Sequence, residues 1–169
     1  MNFSEWRRLQ RNTEMFKISE VFVAEGISKE HFENIVHTFI PFVKKELKIK
    51  DLPKIQFVDD PKFARKIAAF GQIKDNQIMI STLNRHTMDI LRTLAHELAH
   101  YRQHIKGVNG SGRAGAPTEN EANRLAGTII RKFGEKHPSL FATSAVMEAR
   151  KKKKKTMHSD YEHYPMELT

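Results

Sequence analysis

The stretch Leu94-Ala95-His96-Glu97-Leu98-Ala99-His100 places two histidines four residues apart, with a glutamate directly after the first. On an α-helix, residues four apart lie on one face a turn apart, so two imidazoles at this spacing can grip one metal ion. The glutamate then projects beside that ion, where it can take a proton from a metal-bound water. The helix is well signalled by its neighbours. Ile90, Leu91, Leu94, Ala95, Leu98 and Ala99 recur at three- and four-residue intervals, which marks one buried face. Thr87 is the expected N-cap, Asp89 suits the first turn, and Gly107 is a natural stop. The competing reading is two surface or core histidines with a chance glutamate between them. The position of the motif deep in an amphipathic helix disfavours it.

Upstream of this helix the pattern is that of short strands. Ala68 to Ile73, a turn at Lys74-Asp75-Asn76, and Gln77 to Ile80 read as a hairpin, with Gly71 marking a bulge or a close approach. Ile55 to Val58 reads as a further strand, closed by Asp59-Asp60-Pro61, and Lys62 to Lys66 as a turn of helix. Phe32, Ile35, Val36, Phe39, Val43 and Leu47 form the apolar stripe of an earlier helix. Ser28 is its N-cap, Pro41 is expected to kink or split it, and Asp51-Leu52-Pro53 to break it. Residues 1–28 are expected to be a helical N-terminal extension.

Downstream, Gly107, Gly110, Gly112 and Gly115 make residues 107–116 a flexible loop. Pro117 suits the first turn of another helix, through Leu125, Ile129, Ile130 and Phe133 to Gly134. Pro138 to Arg150 reads as a last helix, and residues 150–169 as a disordered basic tail. The fold class is therefore α+β. One domain spans residues 29–149, with a short, mostly antiparallel sheet of about three strands packed on the His96–His100 helix and a second central helix.

A catalytic zinc has three protein ligands and an open position. His104 continues the ladder but lies about 12 Å of helical rise from His96, too far for one ion. The metzincin pattern requires glycine at 103 and histidine at 106, where Gln103 and Lys106 stand. The better source of a third ligand is Thr118-Glu119-Asn120-Glu121-Ala122-Asn123, across the glycine loop.

A helix bearing His-Glu-Leu-Ala-His, followed some twenty residues on by Glu-x-x-Ala-Asn on a second helix, resembles the gluzincins. It is especially similar to the compact ImmA/IrrE-type and phage-encoded metallopeptidases, over roughly residues 29–133. The resemblance implies a zincin-like domain that binds one Zn2+ per chain through His96, His100 and Glu119. It also implies that Asn123 supports a ligand histidine and that the hairpin edge holds an extended peptide. Glu119 and Asn123 are four apart and share a face, as a ligand and its support on one helix require. Glu121 points away from both and is the fallback ligand. A residue to stabilise the oxyanion is not selected by spacing: Tyr101, His104, His137, His158, Tyr161 and Tyr164 are all available.

Composition narrows the function classes. The 169 residues hold no cysteine, which excludes disulfides, thiolate-bound zinc and thiol nucleophiles. No apolar run reaches the length of a membrane span, and Met1 to Arg8 has no secretory apolar segment, so a cytoplasmic, unexported protein is expected, in the host cytoplasm if it is phage-encoded. The net charge is +9, but Arg150 to Lys155 is six consecutive cations; without that run and the three carboxylates after it, residues 1–149 carry +6. The run reads as a solvated tail or as a weak contact for nucleic acid or another polyanion. The expected activity is hydrolysis of a peptide or protein substrate, with Glu97 as general base. Two alternatives stand beside it: a zinc-binding regulatory, sensor or phage structural module with little turnover, and a SprT-like DNA-associated protease. The second is opposed by the missing cysteines and by the later histidine that such proteins use as third ligand.

Overall fold

A computed structural model describes residues 16–18, 28–67, 69–108, 110 and 113–140 of the chain. Its elements are β1 (Phe16–Ile18), α1 (Lys29–Leu47), β2 (Lys54–Val58), α2 (Pro61–Ile67), β3 (Gly71–Lys74), β4 (Gln77–Ser81), α3 (Thr87–Ile105) and α4 (Pro117–Lys136). The described residues up to Phe133 belong to one compact unit. The described part of a second unit, from Gly134, holds the end of α4 and one 3-10 turn at Pro138–Leu140. Residues 141–150, where a further helix is expected, and the basic tail lie outside the described residues. Among the described residues no helix is long and apolar enough to cross a membrane.

The Ser28 side chain accepts a hydrogen bond from the His31 N–H at 3.1 Å and caps α1 as the sequence suggests. Phe32, Ile35, Val36, Phe39, Ile40, Val43 and Leu47 are all buried. Burial of each side chain is worth about 1.5–3 kcal/mol, which outweighs the roughly 3 kcal/mol that an internal proline costs. Hence α1 runs unbroken through Pro41, where a kink or a split is expected, and Pro41 sits on its exposed face. Lys48, in the left-handed conformation at φ 55°, ends it.

The sheet has the order β1-β2-β4-β3. It corrects the expectation of a mostly antiparallel sheet: β1–β2 and β2–β4 are parallel, and only the β3–β4 hairpin is antiparallel. The cause is topological. The chain crosses over from β2 through α2 and then lays the second hairpin strand, not the first, beside β2, with Ile55 opposite Ile78 and Phe57 opposite Ile80. That leaves β3 on the edge. Asp75 and Asn76 both have positive φ, 49° and 58°, as a two-residue hairpin turn with the right twist requires. A second correction is β1 itself, a strand inside the N-terminal segment read as helical; the rest of residues 1–27 lies outside the described residues.

Ile55, Phe57, Ile78 and Ile80 of the sheet, the α1 stripe, and Ile90, Leu91, Leu94 and Leu98 of α3 make the core. Phe32 meets Phe57 edge-on at 5.3 Å, and Phe39 meets Phe133 of α4 at 4.9 Å. The α3 N-cap is His86, not Thr87: its ring nitrogen accepts from the Met88 N–H at 3.2 Å, and Thr87 is the buried first helical residue. The helix α4 passes Gly134 instead of stopping there, since a glycine inside a helix costs only about 1 kcal/mol.

Candidate metal centre

With Leu91, Leu94 and Leu98 of α3 turned into the core, His96 and His100 stand on its flank. Their Nε2 atoms are 3.0 Å apart, and the rings meet edge-on at 4.6 Å. After the glycine loop, α4 starts at Pro117 and its first turn delivers Glu119. One carboxylate oxygen lies 3.5 Å from His96 Nε2 and the other 3.1 Å from His100 Nε2. These three side chains, each about one-fifth exposed, bring their ligating atoms within 4.8 Å of one another and could hold a metal ion. The donor set itself favours a cation there: two imidazole nitrogens and a carboxylate point electron pairs at one small volume.

Burial is the main reason that the His96 pKa falls below the usual histidine value, and His100 and Arg92 push the same way. Glu119 and a hydrogen bond to the Asn123 side chain oppose it. A neutral ring is the ligating form. Asn123, one turn along α4 from Glu119, thus touches His96, one of the two candidate ligand histidines. Glu121 does not join the cluster. Its carboxylate accepts from Gln103 Nε2 at 2.9 Å and lies 3.6 Å from Arg102.

Glu97 is 8% exposed, and burial pushes its carboxyl up to about 7; Glu119 adds to the rise and His100 opposes it. The edge strand explains the burial. A Cβ at Gly71 would come within 2.7 Å of both Glu97 Oε1 and Thr93 Cγ2, so the bare glycine lets the backbone of β3 close over the carboxylate. Gly71 is therefore a close approach, one of the two roles its sequence context allows.

In front of the cluster lies an open cleft of about 700 Å³, lined among others by Phe70, Gly71, Arg85, Arg92 and Thr93 together with His96 and Glu97. Arg85 ties its walls together. Its guanidinium donates to Ser81 O at 3.0 Å, Asp89 O at 3.0 Å and Thr93 Oγ1 at 2.8 Å, and it stacks over the Phe70 ring at 4.4 Å.

No protein-family model, curated protein or solved structure matches the chain.

All five expected site residues, His96, Glu97, His100, Glu119 and Asn123, meet in one place. Of the residues considered for the oxyanion, Tyr101 is buried and His104 exposed, and neither lines the cleft. His137 lies beyond Phe133, in the other unit, and His158, Tyr161 and Tyr164 lie outside the described residues. Sequence reasoning missed Arg85 and Arg92 on the cleft wall, for which no spacing signal exists. It also passed over Gln103, which contacts His100 at 2.9 Å. That signal was available, because positions 96, 100 and 103 form one stripe of a helix.

Proposed function

We propose that this chain is a zinc-dependent peptidase of the HExxH gluzincin type, with a zincin-like domain that holds Zn2+ through His96, His100 and Glu119. One observation carries the reading: Glu119, far along the chain from His96 and His100 and on another helix, is brought to their two Nε2 atoms while Glu97 is buried beside them. The spacing supports zinc. Tetrahedral ligand atoms about 2.1 Å from one ion lie about 3.4 Å from each other, and the three separations here are 3.0, 3.1 and 3.5 Å. Two imidazoles and one carboxylate are also a donor set that zinc accepts in catalytic sites.

When bound, zinc supplies Lewis-acid polarisation of a carbonyl and a water acidic near neutral pH. The chain's own residues do the rest. Glu97, protonating near neutrality, is suited to accept a proton from water at one carboxylate oxygen and return it to the leaving amine nitrogen. A cation among its neighbours draws its pKa down again and keeps it in the base form. The cleft admits the peptide, the edge strand β3 offers backbone hydrogen bonds to an extended chain, and Arg92, on the ligand helix itself, is a cleft-lining cation for a developing oxyanion. A carboxyl buried under β3 beside the ligand histidines has no use in a purely structural metal site, which favours turnover over a sensor or scaffold role.

The test is metal content. Protein purified without added metal is expected to carry close to one zinc per chain, and the double replacement His96→Ala with His100→Ala to carry none. Full retention in that double variant would sink the assignment.

A further inference from the structure

Gln103 is 5% exposed, and every polar atom of its amide is engaged. Nε2 donates to Thr118 O at 3.0 Å and to Glu121 Oε2 at 2.9 Å; Oε1 lies 2.9 Å from His100 Nδ1. A carbonyl and a carboxylate are acceptors only, so both N–H groups of the amide are spent on them and its orientation is dictated by chemistry. The oxygen that remains can only accept. The proton between it and His100 must therefore belong to Nδ1, and the neutral ring is left with its lone pair on Nε2. That is the atom 3.0 Å from His96 Nε2 and 3.1 Å from Glu119 Oε1.

The same amide reaches across the glycine loop. Gln103 sits one turn after His100 on α3, and Thr118 directly precedes Glu119 on α4. One side chain thus joins the ligand of the first helix to the backbone beside the ligand of the second. We propose that Gln103 is the positioning residue of this centre: it fixes the ligating nitrogen of His100 and sets the register of α4 that presents Glu119. In this arrangement Glu121 acts through Gln103, holding its amide in the orientation His100 needs. The inference rests on the zinc reading for its consequence, but the state of the His100 ring does not depend on metal.

Two measurements test it. The first is the ¹⁵N resonance pair of the His100 ring in metal-free protein at pH 8. The proton is expected on Nδ1 in the wild type and, in Gln103→Leu, on Nε2 or divided between the two nitrogens. A wild-type ring protonated on Nε2 overturns the proposal whatever the metal does. The second is Zn2+ affinity by chelator competition. Orienting partners of metal ligands are typically worth about 10–100-fold in affinity, and Gln103→Leu should lose that much.

A packing role is separated by polarity. Gln103→Glu keeps the size and still offers His100 an acceptor, but it sets two carboxylates against each other, so affinity should fall. Adding Glu121→Gln restores a donor–acceptor pair and should recover about tenfold or more. This pair also carries the test if Gln103→Leu does not fold. Unchanged affinity in Gln103→Leu, or no recovery in the Gln103→Glu, Glu121→Gln double variant, overturns the proposal. A wild-type chain that takes up no zinc refutes the metal reading instead, and the ring resonances then decide the role of Gln103 alone.

Discussion

Glu97→Gln should make the metal-free protein more stable at neutral and alkaline pH, not less. Glu97 is 8% exposed, and its carboxyl ionises at about 7 in the folded chain against 4.5 without the protein around it. Between those two values the unfolded state has released a proton that the folded state still holds, so stability falls as pH rises. Above pH 7 the loss is complete, about 3 kcal/mol at roughly 1.4 kcal/mol per pH interval. The amide is a neutral isostere of the protonated acid and escapes this penalty. Urea unfolding of both proteins in chelator, at pH 5 and pH 8, isolates the effect, since every histidine is common to the two. The variant should be more stable by about 3 kcal/mol at pH 8 and by less than about 1 kcal/mol at pH 5. With zinc present the gap at pH 8 should narrow, because a nearby cation relieves the buried negative charge. A variant less stable than wild type at pH 8, or a gap that does not change with pH, would refute the low-dielectric account of Glu97.

The third ligand can be tested directly: Glu119→Ala should weaken zinc binding by at least two orders of magnitude and Glu121→Ala by less than about tenfold, in a chelator competition. Gly71→Ala forces a methyl into the 2.7 Å gap before Glu97 and Thr93. Denaturant unfolding should show a loss of about 1–3 kcal/mol, and peptide hydrolysis should drop with zinc retained. Phe39→Ala removes a fully buried ring that meets Phe133; it should cost about 3–5 kcal/mol in the same assay without changing the zinc-to-protein ratio of the folded fraction.

The parts of this fold that the sequence made legible are those with a local cause. The α1 and α3 stripes, the Ser28 cap and the Asp75-Asn76 turn each follow from periodicity or from one residue's conformational preference. The direction of the β2–β4 pairing does not. It depends on which hairpin strand reaches β2 after the crossover, a long-range choice that no residue in either strand records. Pro41 illustrates a conflict between levels: local propensity argues for a break, and seven buried side chains override it. At the site, His96, Glu97 and His100 are fixed by one motif, while Glu119 and Asn123 needed a family resemblance to be chosen over Glu121. Gln103 and Arg85 act through partners 15 or 18 residues away in the first case and through backbone carbonyls in the second, and contacts of that kind leave little trace in a single sequence.

The central claim is hydrolysis by a zinc-dependent general base, and the most direct measurement is cleavage of a broad peptide library, read by mass spectrometry. Wild-type, metal-stripped and Glu97→Gln proteins should be compared, the last with its zinc content verified. Cleavage is expected in the wild type, loss on stripping with recovery on adding back Zn2+, and a fall of at least about two orders of magnitude in the zinc-loaded Glu97→Gln variant. Fully zinc-loaded wild-type protein that cuts no peptide, or cleavage that survives Glu97→Gln undiminished, would contradict it.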